Sequence, residues 1–237
     1  MARTVVLTGA TSGIGEQLLK KLLARSEIVI AVARHASTLP ETSNLKRVNC
    51  DLSRPAEVVS VFDSLAVAHP KISLLINNAA VQHPQSFASN VMSSEHLEAE
   101  LNVNLLAPAL ITRSLAQAMR QNQGARIVNV SSGLALAPKA ETGLYCASKA
   151  GLHSLSLSMR SQLQPLGISV VEIFLPLVDT PMTQGRGTGK LSADTAATLV
   201  LSAADGPRDE VYVGKTRILP VLARFSPRLL QRFMRAL

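Results

Sequence analysis

Three side chains near the middle of the chain have the types and spacing that proton transfer requires. Tyr145 and Lys149 are four residues apart, so on a helix they lie on one face. An ammonium group near a phenol favours the phenolate and lowers a pKa that is ordinarily about 10. A tyrosine shifted in this way exchanges a proton near neutral pH, and Ser132, at the end of a strand pattern, can hold the oxygen on which it acts.

A glycine-rich segment near the N-terminus predicts a site for the phosphates of a dinucleotide. It reads Thr8-Gly9-Ala10-Thr11-Ser12-Gly13-Ile14-Gly15 and joins an apolar strand pattern to a helix pattern. Glycines permit a tight turn and close approach of the backbone, and the helix N-terminus offers free amides to the pyrophosphate. For the segment alone, the alternative is a glycine-rich turn without a ligand, and for the tyrosine–lysine pair alone it is a chance pair on a surface helix. Together they favour an oxidoreductase.

The elements that must position these residues alternate along the chain. Strand patterns near 4–8, 27–33, 46–50, 72–77, 125–131 and 168–174 are interleaved with helix patterns near 13–24, 54–68, 93–121, 142–164 and 192–203. This alternation predicts one α/β domain with a doubly wound parallel sheet, helices on both faces and right-handed crossovers.

The notable residues follow the predicted strands. In chain order they are the glycine segment, Arg34, Asp51, residues 77–80, Ser131 with Ser132, and residues 176–180. Because the carboxyl ends of parallel strands meet at one edge, where open α/β sheets bind ligands, we expect these six segments to form one site.

Taken together, these motifs resemble those of the short-chain dehydrogenase/reductase family over roughly residues 3–182. The resemblance rests on Thr8-Gly9-x-x-x-Gly13-x-Gly15, Asp51-Leu52, Asn77-Asn78-Ala79-Ala80, Asn104, Ser132, Tyr145-x-x-x-Lys149 and Pro176-x-x-x-Thr180. Segments 77–82, 132–135 and 145–154 are similar to those of oxidoreductases encoded in D-alanyl-lipoteichoic-acid operons. This similarity does not identify a substrate. The resemblance implies a Rossmann fold, which we place at residues 1–214, with 215–237 as a basic amphipathic extension of the same domain.

The resemblance also implies a role for each of four catalytic residues. Tyr145 is the general acid in reduction and the base in oxidation, and Ser132 positions the substrate oxygen. Lys149 binds the nicotinamide ribose hydroxyls and keeps Tyr145 acidic. Asn104 holds a water that links Lys149 to solvent; the alternative is that its side chain bonds a neighbouring carbonyl.

A cofactor cleft is implied along the same sheet edge. Its residues are Gly9, Thr11, Ser12, Gly13, Ile14, Gly15, Arg34, Asp51, Leu52, Asn78, Ala79, Ala80, Tyr145, Lys149, Pro176, Val178 and Thr180. Asp51 and Leu52 are expected to touch the adenine, although Asp51 or Ser53 is alternatively a helix N-cap. Ala80 and Leu177 stand where the family often has glycine. We expect a narrower cleft floor and an apolar side chain near the reacting groups, but no loss of activity.

The end of the second strand pattern predicts the type of dinucleotide. NAD sites usually carry an acid there, about twenty residues past the glycines. This chain has Arg34 instead, and no acid occurs between Glu27 and Glu41. A guanidinium suits the 2′-phosphate of NADP(H), although a solvated arginine at a strand end is the alternative.

The predicted function is therefore an NADP(H)-dependent oxidoreductase that interconverts a small-molecule carbonyl and an alcohol. A dinucleotide sensor or scaffold without turnover is the alternative from another class. The segment 178–190 is expected to cover the substrate, where Arg186 and Lys190 either favour an anionic substrate or are solvated. His83, His153 and Cys146 are interpreted as structural residues.

Charge is concentrated in the tail. Six of the eight net positive charges follow Glu210, so a general nucleic-acid interface is not expected in the rest of the chain. The tail has apolar residues at helical spacing, interrupted by Pro220 and Pro227. This pattern predicts docking on the chain's own core or on a subunit of a homo-oligomer. The alternatives are peripheral contact with anionic lipid and binding of a partner. Lipid contact would suit a reductase that acts on lipid-derived carbonyls.

The sequence has only two cysteines, no residues at metal-ligand spacing and no apolar run long enough to span a membrane. With the first strand pattern beginning near residue 3, no signal peptide is expected. These features predict a cytoplasmic protein without a metal site.

Overall fold

A computed structural model describes residues 3–83 and 93–230. The strands are β1 (Thr4–Thr8), β2 (Ile28–Ala33), β3 (Leu45–Asn49), β4 (Leu74–Asn77), β5 (Arg126–Ser132), β6 (Ser169–Leu175), β7 (Val178–Asp179), β8 (Leu191–Ser192) and β9 (Glu210–Tyr212). Seven of them form a parallel sheet in the order β3-β2-β1-β4-β5-β6-β9, and β7 pairs with β8. The predicted doubly wound parallel sheet is confirmed. The short edge strand β9 was not predicted, because three half-buried residues carry little periodic signal.

The helices are α1 (Gly13–Ala24), α2 (Pro55–Ala68), α3 (Ser94–Leu101), α4 (Ala107–Arg120), α5 (Gly143–Leu163), α6 (Ala193–Asp205) and α7 (Leu219–Phe225). The single helix predicted over 93–121 is wrong, since a π-helical turn, Asn102–Leu106, separates α3 from α4. Pro108 has no amide to donate to the carbonyl of Asn104, so a regular α-helix would lose a bond here.

One apolar core lies on each face of the sheet. Successive strand residues point to opposite faces, so Val5 and Leu7 join one core and Val6 joins the other. The first core packs against α1 and α6, and the second packs against α2, α4 and α5. Both faces are therefore covered, and the ligand-binding edge is left to the carboxyl ends of the strands.

Four polar residues interrupt the second core at one register across the sheet. This transverse polar row consists of Asn77 on β4, Asn129 on β5, Glu172 on β6 and Glu210 on β9, each paired with the next. Asn77 Nδ2 donates to Asn129 Oδ1 at 2.8 Å. Because Asn77, Asn129 and Glu172 are fully buried or nearly so, each needs a partner inside the protein.

Helix α5 supplies partners for three members of the row. Asn129 Nδ2 donates to Ser156 Oγ at 2.9 Å. His153 Nδ1 lies 2.9 Å from Glu172 Oε2. Arg160 Nη1 lies 2.9 Å from Glu210 Oε1. The row therefore fixes the position of α5 on the sheet.

The C-terminal segment packs on the chain's own surface. After β9, a 3₁₀ turn, Gly214–Ile218, leads into α7, and residues 227–230 are again helical. Leu219 and Leu230 are buried in a small apolar cluster with Ala137. The predicted docking is thus present in the described part of the tail, whereas Arg232, Phe233, Arg235 and Leu237 lie outside the described residues. In the part of the chain that the structure describes, every helix is too short or too polar to cross a bilayer.

Candidate active site

The glycine turn after β1 is packed as the motif predicts. Gly9 and Gly13 have φ values of +71° and +55°, which side chains rarely adopt. A Cβ on Gly15 would lie 1.9 Å from the Gly9 carbonyl oxygen, so only glycine fits at that position. The turn therefore holds the start of α1 close to the end of β1.

The N-terminus of α1 points its amides at the open edge of the sheet. Ser12 is the N-cap residue, but its side chain makes no capping hydrogen bond. Thr11 and Ser12 are exposed, whereas Ile14 packs against the first core. Uncapped amides and the positive end of the helix dipole suit a phosphate group.

The end of β4 is tied to the glycine turn. Thr8 Oγ1 accepts hydrogen bonds from the amides of Asn78 and Ala79, at 3.0 and 3.1 Å. Asn78 Nδ2 donates to the Thr8 carbonyl at 3.0 Å. A Cβ on Gly9 would lie 2.9 Å from Ala79 Cα, so the two segments are in contact. Ala80 follows at the same edge and is half-buried.

Arg34 and Asp51 lie together beyond β2 and β3. Arg34 is exposed and makes no hydrogen bond within residues 3–83 and 93–230. Partial burial acts to raise the pKa of Asp51, but hydrogen bonds from Ser53 and the charges of Arg34 and Arg54 outweigh it and lower that pKa. The side chain of Leu52 is buried in the second core.

The N-cap alternative for Asp51 is wrong. Helix α2 begins at Pro55 with Arg54 as its N-cap residue. Asp51 Oδ1 instead accepts from the Ser53 amide at 3.0 Å and from its hydroxyl at 2.8 Å. This short turn follows directly after β3, so Asp51 stays at the sheet edge.

The segment after β6 reaches back to the glycine turn. A Cβ on Gly13 would lie 3.1 Å from Thr180 Cγ2. Pro176 follows β6 directly, and Val178 is buried in the first core as part of β7. The first and last predicted cofactor segments therefore border the same cleft.

Ser132, Tyr145 and Lys149 come together at the end of β5. The Ser132 side chain lies near Tyr145 and acts to lower its pKa, and Ser132 Oγ accepts from the Leu134 amide at 3.2 Å. Lys149 is 3% exposed, and its Nζ lies 5.8 Å from the centre of the Tyr145 ring. Nζ donates to the Val130 carbonyl at 2.9 Å, which holds the ammonium beside the strand.

The expected lowering of the Tyr145 pKa is opposed by burial. Burial raises the pKa of Tyr145 above its ordinary value, and the side chains of Cys146 and Glu100 raise it further. The charge of Arg186 and the polar side chain of Ser132 act in the opposite direction, but their effects are smaller. The predicted direction is therefore wrong for this environment.

The ionisation of Lys149 explains part of this result. Burial lowers the pKa of Lys149 to about 8, and the negative charge of Glu172 counters the effect in part. The ammonium is consequently only partly retained at mildly alkaline pH, and its influence on Tyr145 is weakened.

Asn104 is fully buried in the π-helical turn. Its Oδ1 accepts from the Val81 amide and its Nδ2 donates to the Val81 carbonyl, both at 2.9 Å. Nδ2 also donates to Ser148 Oγ at 3.2 Å. The side chain thus bonds a carbonyl distant in sequence, and both of its amide hydrogens are used. Asn104 joins the segment after β4 to α5.

The two cations of segment 178–190 differ in their surroundings. Arg186 hydrogen bonds to Gln82 across the cleft, and its charge acts on Tyr145. Lys190 Nζ is instead held by the Thr183 carbonyl at 2.7 Å and lies 3.3 Å from Asp179 Oδ1. A Cβ on Gly187 would lie 2.7 Å from Leu177 Cδ2, so the segment folds over this apolar side chain.

The two histidines interpreted as structural both contact buried acids. His153 belongs to the polar row, and its hydrogen bond to Glu172 raises the pKa of His153. The His83 amide donates to Glu100 Oε2 at 3.3 Å, and the His83 ring stacks on His96 with centroids 4.2 Å apart.

Several supporting residues were missed from the sequence, namely Asn129, Ser156 and Glu172, which hold α5. Thr8 belongs to the predicted glycine segment, but its hydrogen bonds from β1 to the end of β4 were not predicted. A signal existed for two of them. Asn129 and Glu172 interrupt apolar strand patterns, and a polar residue inside a buried strand requires a partner.

Comparison with known proteins agrees with this geometry. The family model described as short chain dehydrogenase matches residues 3–190. The chain is 32% identical over 185 residues to an uncharacterised oxidoreductase, DltE, of Bacillus subtilis, which covers 76% of this chain and 73% of that protein. It is 27% identical to the ketoacyl reductase HetN of a Nostoc species, over 98% of this chain and 88% of HetN.

Among solved structures, a short chain dehydrogenase from Burkholderia cenocepacia in complex with NADP is similar. Its TM-score is 0.88 at 27% identity, and the match covers 98% of this chain and 97% of that chain. The similarity therefore extends through the C-terminal region that the family model leaves out.

Proposed function

Because the chain belongs to the short-chain dehydrogenase family, we propose that it transfers a hydride between NADP(H) and a small carbonyl or alcohol compound, with Tyr145 exchanging the proton. The observation that carries this proposal is the placement of Ser132 and the buried Lys149 next to Tyr145, at the sheet edge where the glycine turn also lies. Proton exchange at an oxygen needs such a group within hydrogen-bonding reach.

The residues around the turn fit NADP(H). The uncapped start of α1 suits the pyrophosphate, and the exposed Arg34 suits a 2′-phosphate. The Burkholderia cenocepacia relative was solved with NADP, which supports the same choice here. When bound, this cofactor supplies or accepts the hydride.

Each residue of the proposed site has a defined task. Tyr145 gives a proton to the carbonyl oxygen in reduction and takes one from the alcohol in oxidation. Ser132 donates a hydrogen bond to that oxygen. Lys149 binds the ribose hydroxyls of the nicotinamide nucleotide. Asn104 joins Val81 to α5. The proposal also includes a water, held at Asn104, that links Lys149 to solvent.

A sensor without turnover is the rival function. Nucleotide binding needs the glycine turn and Arg34, but it does not need Ser132 placed against Tyr145. The assembled proton-transfer group therefore favours the enzyme. Homo-oligomerisation and a cytoplasmic location stay predictions.

Tracer transfer tests the proposal. NADPH carrying deuterium at the transferable position is incubated with a cell extract and either the wild type or Tyr145→Phe, and labelled metabolites are sought by mass spectrometry. We expect a labelled alcohol with the wild type and a rate roughly a hundredfold to ten-thousandfold lower with the variant, because the general acid is gone.

Binding measurements serve as the control. Tyr145→Phe is expected to bind NADPH, and the wild type is expected to bind NADPH more tightly than NADH. Equal labelling by both proteins would refute the role of Tyr145. Tight NADPH binding without label in any extract fraction would favour the sensor.

A further inference from the structure

The C-terminal segment has an inner face that is part of the fold. A Cβ on Gly133 would lie 2.9 Å from side-chain atoms of both Leu219 and Thr216. Thr216 Oγ1 donates to the Phe174 carbonyl at 3.0 Å. Leu230 is buried against the cluster around Ala137. The segment is therefore held in one orientation, which determines what its other face presents.

The outer face of this segment is apolar and uncovered. Ile218, Val221, Phe225 and Leu229 are 55%, 59%, 75% and 57% exposed. They are four of the ten large apolar side chains that are exposed in the described chain, although residues 218–229 are a small part of it. Scattered exposed apolar side chains are normal, but a cluster of this kind marks an interaction surface.

Cations surround the apolar side chains. Lys215, Arg217, Arg224 and Arg228 are exposed, and none forms an ion pair within the described residues. No acidic residue follows Glu210 in the whole chain. A surface with apolar side chains and unpaired cations is complementary to an apolar layer covered by negative charge.

We propose that this outer face, residues 215–229, is a docking surface for a membrane that contains anionic phospholipid. The exposed apolar side chains enter the boundary between headgroups and acyl chains, and the cations pair with lipid phosphates. The segment lies in the plane of the interface and does not span the bilayer.

The positive charge of this outer face favours a membrane over a second copy of the chain as its binding partner. A two-fold interface places the same patch against itself, so the four cations of each copy would face one another without acids between them. Like charges brought together in this way disfavour association. An anionic lipid surface neutralises the same cations.

Vesicle flotation of the full-length protein tests the proposal. The vesicles are phosphatidylcholine alone or phosphatidylcholine with phosphatidylglycerol, at low and high salt. We expect binding to the anionic vesicles, weakened by salt, and much weaker binding to phosphatidylcholine alone. This readout needs no turnover, so it is independent of whether the chain is an oxidoreductase.

Two double variants separate the apolar and electrostatic contributions. Phe225→Ser with Leu229→Ser is expected to weaken partition at least tenfold, because two exposed apolar side chains no longer enter the interface. Arg224→Gln with Arg228→Gln is expected to weaken it roughly thirtyfold on anionic vesicles only. All four residues are exposed, so these changes leave the fold intact.

Matched controls lie elsewhere on the surface. Val67 on α2 is 85% exposed and Arg120 at the end of α4 is exposed, so Val67→Ser and Arg120→Gln remove similar groups from another region. They are expected to bind vesicles like the wild type.

Three results would overturn the proposal. The first is no binding of the wild type to anionic vesicles, and the second is equal loss in the Val67 and Phe225 variants. The third is a concentration-dependent dimer in sedimentation velocity that Phe225→Ser with Leu229→Ser abolishes without any change in vesicle binding. That result would make the face an interface between copies.

Discussion

The two sides of the cleft are built from glycine-rich segments that differ in their surroundings. On the cofactor side, Gly15 and Gly9 are in contact with backbone atoms, and an added Cβ would collide with them. On the opposite side, Gly185 and Gly189 have φ values of +74° and +65°, but an added Cβ would meet nothing within 4 Å. One turn is fixed by packing and the other is constrained only by its own backbone. The cofactor side therefore tolerates little change, whereas the substrate side is free to vary.

The largest effect is expected from breaking the packed turn. In Gly15→Ala the new methyl group would lie 1.9 Å from the Gly9 carbonyl oxygen, so the turn must move away from its position. We expect NADPH affinity to fall roughly a hundredfold, since the loss of a backbone hydrogen bond to the charged pyrophosphate costs about 3 kcal/mol. Fluorescence titration with NADPH measures it.

Gly185→Ala is the matched control for that change. The new methyl group meets no neighbouring atom, and the change carries only a left-handed backbone penalty of roughly 1–2 kcal/mol, which Gly15 does not have, so NADPH affinity should be nearly unchanged. Equal losses of NADPH affinity in the two variants would show that the packing around Gly15 does not determine cofactor binding.

An intermediate effect is expected from changing Glu172, which contacts α5, the helix that carries Tyr145 and Lys149. The charge of Glu172 raises the pKa of Lys149 against the larger effect of burial, which brings it to about 8. Glu172→Gln removes that charge, so the pKa of Lys149 falls further and the ammonium is lost at lower pH. We expect the alkaline limb of the pH–rate profile to move down by about one pH unit.

The assay is NADPH oxidation with para-nitrobenzaldehyde as the probe. His153→Asn is the control, because it can keep a hydrogen bond to Glu172 and leaves the carboxylate charge in place. If Glu172→Gln lowers the rate but leaves the alkaline limb of the pH–rate profile unchanged, Glu172 has only a structural role.

The smallest effect is expected from changing Arg186 on the substrate side of the cleft. Arg186 bonds Gln82 across the cleft and acts on Tyr145, whereas Lys190 is turned toward Asp179. Arg186→Gln should raise the KM for para-carboxybenzaldehyde about fivefold relative to para-nitrobenzaldehyde, as expected for one partly exposed charge. Lys190→Gln should leave the ratio unchanged. The reverse ranking would assign substrate charge recognition to Lys190.

The same contrast explains what the sequence could predict. The parallel sheet, the glycine turn and the meeting of Ser132 with Tyr145 and Lys149 follow from local spacing and from the common direction of the strands. These features need no knowledge of which residues far apart in the chain become neighbours.

The features that escaped prediction depend on such neighbours. Asn129 and Glu172 acquire a role only when β5 lies beside β6 and α5 crosses both. The direction of the Tyr145 pKa depends on burial and on Glu100, which spacing does not reveal. The π-helical turn is a similar case, because Asn104 is held by Val81 from another segment.

The contact between Gly133 and Leu219 also concerns the order in which the protein is made. The glycine turn finds Ala79 within the first third of the chain, so that corner of the sheet can assemble while synthesis continues. The segment after Ser132 must wait for residues 216–230, which are synthesised much later than Gly133. A nascent chain halted shortly before Thr216 would thus lack the support beneath Gly133, and residues 216–230 complete the catalytic side of the molecule.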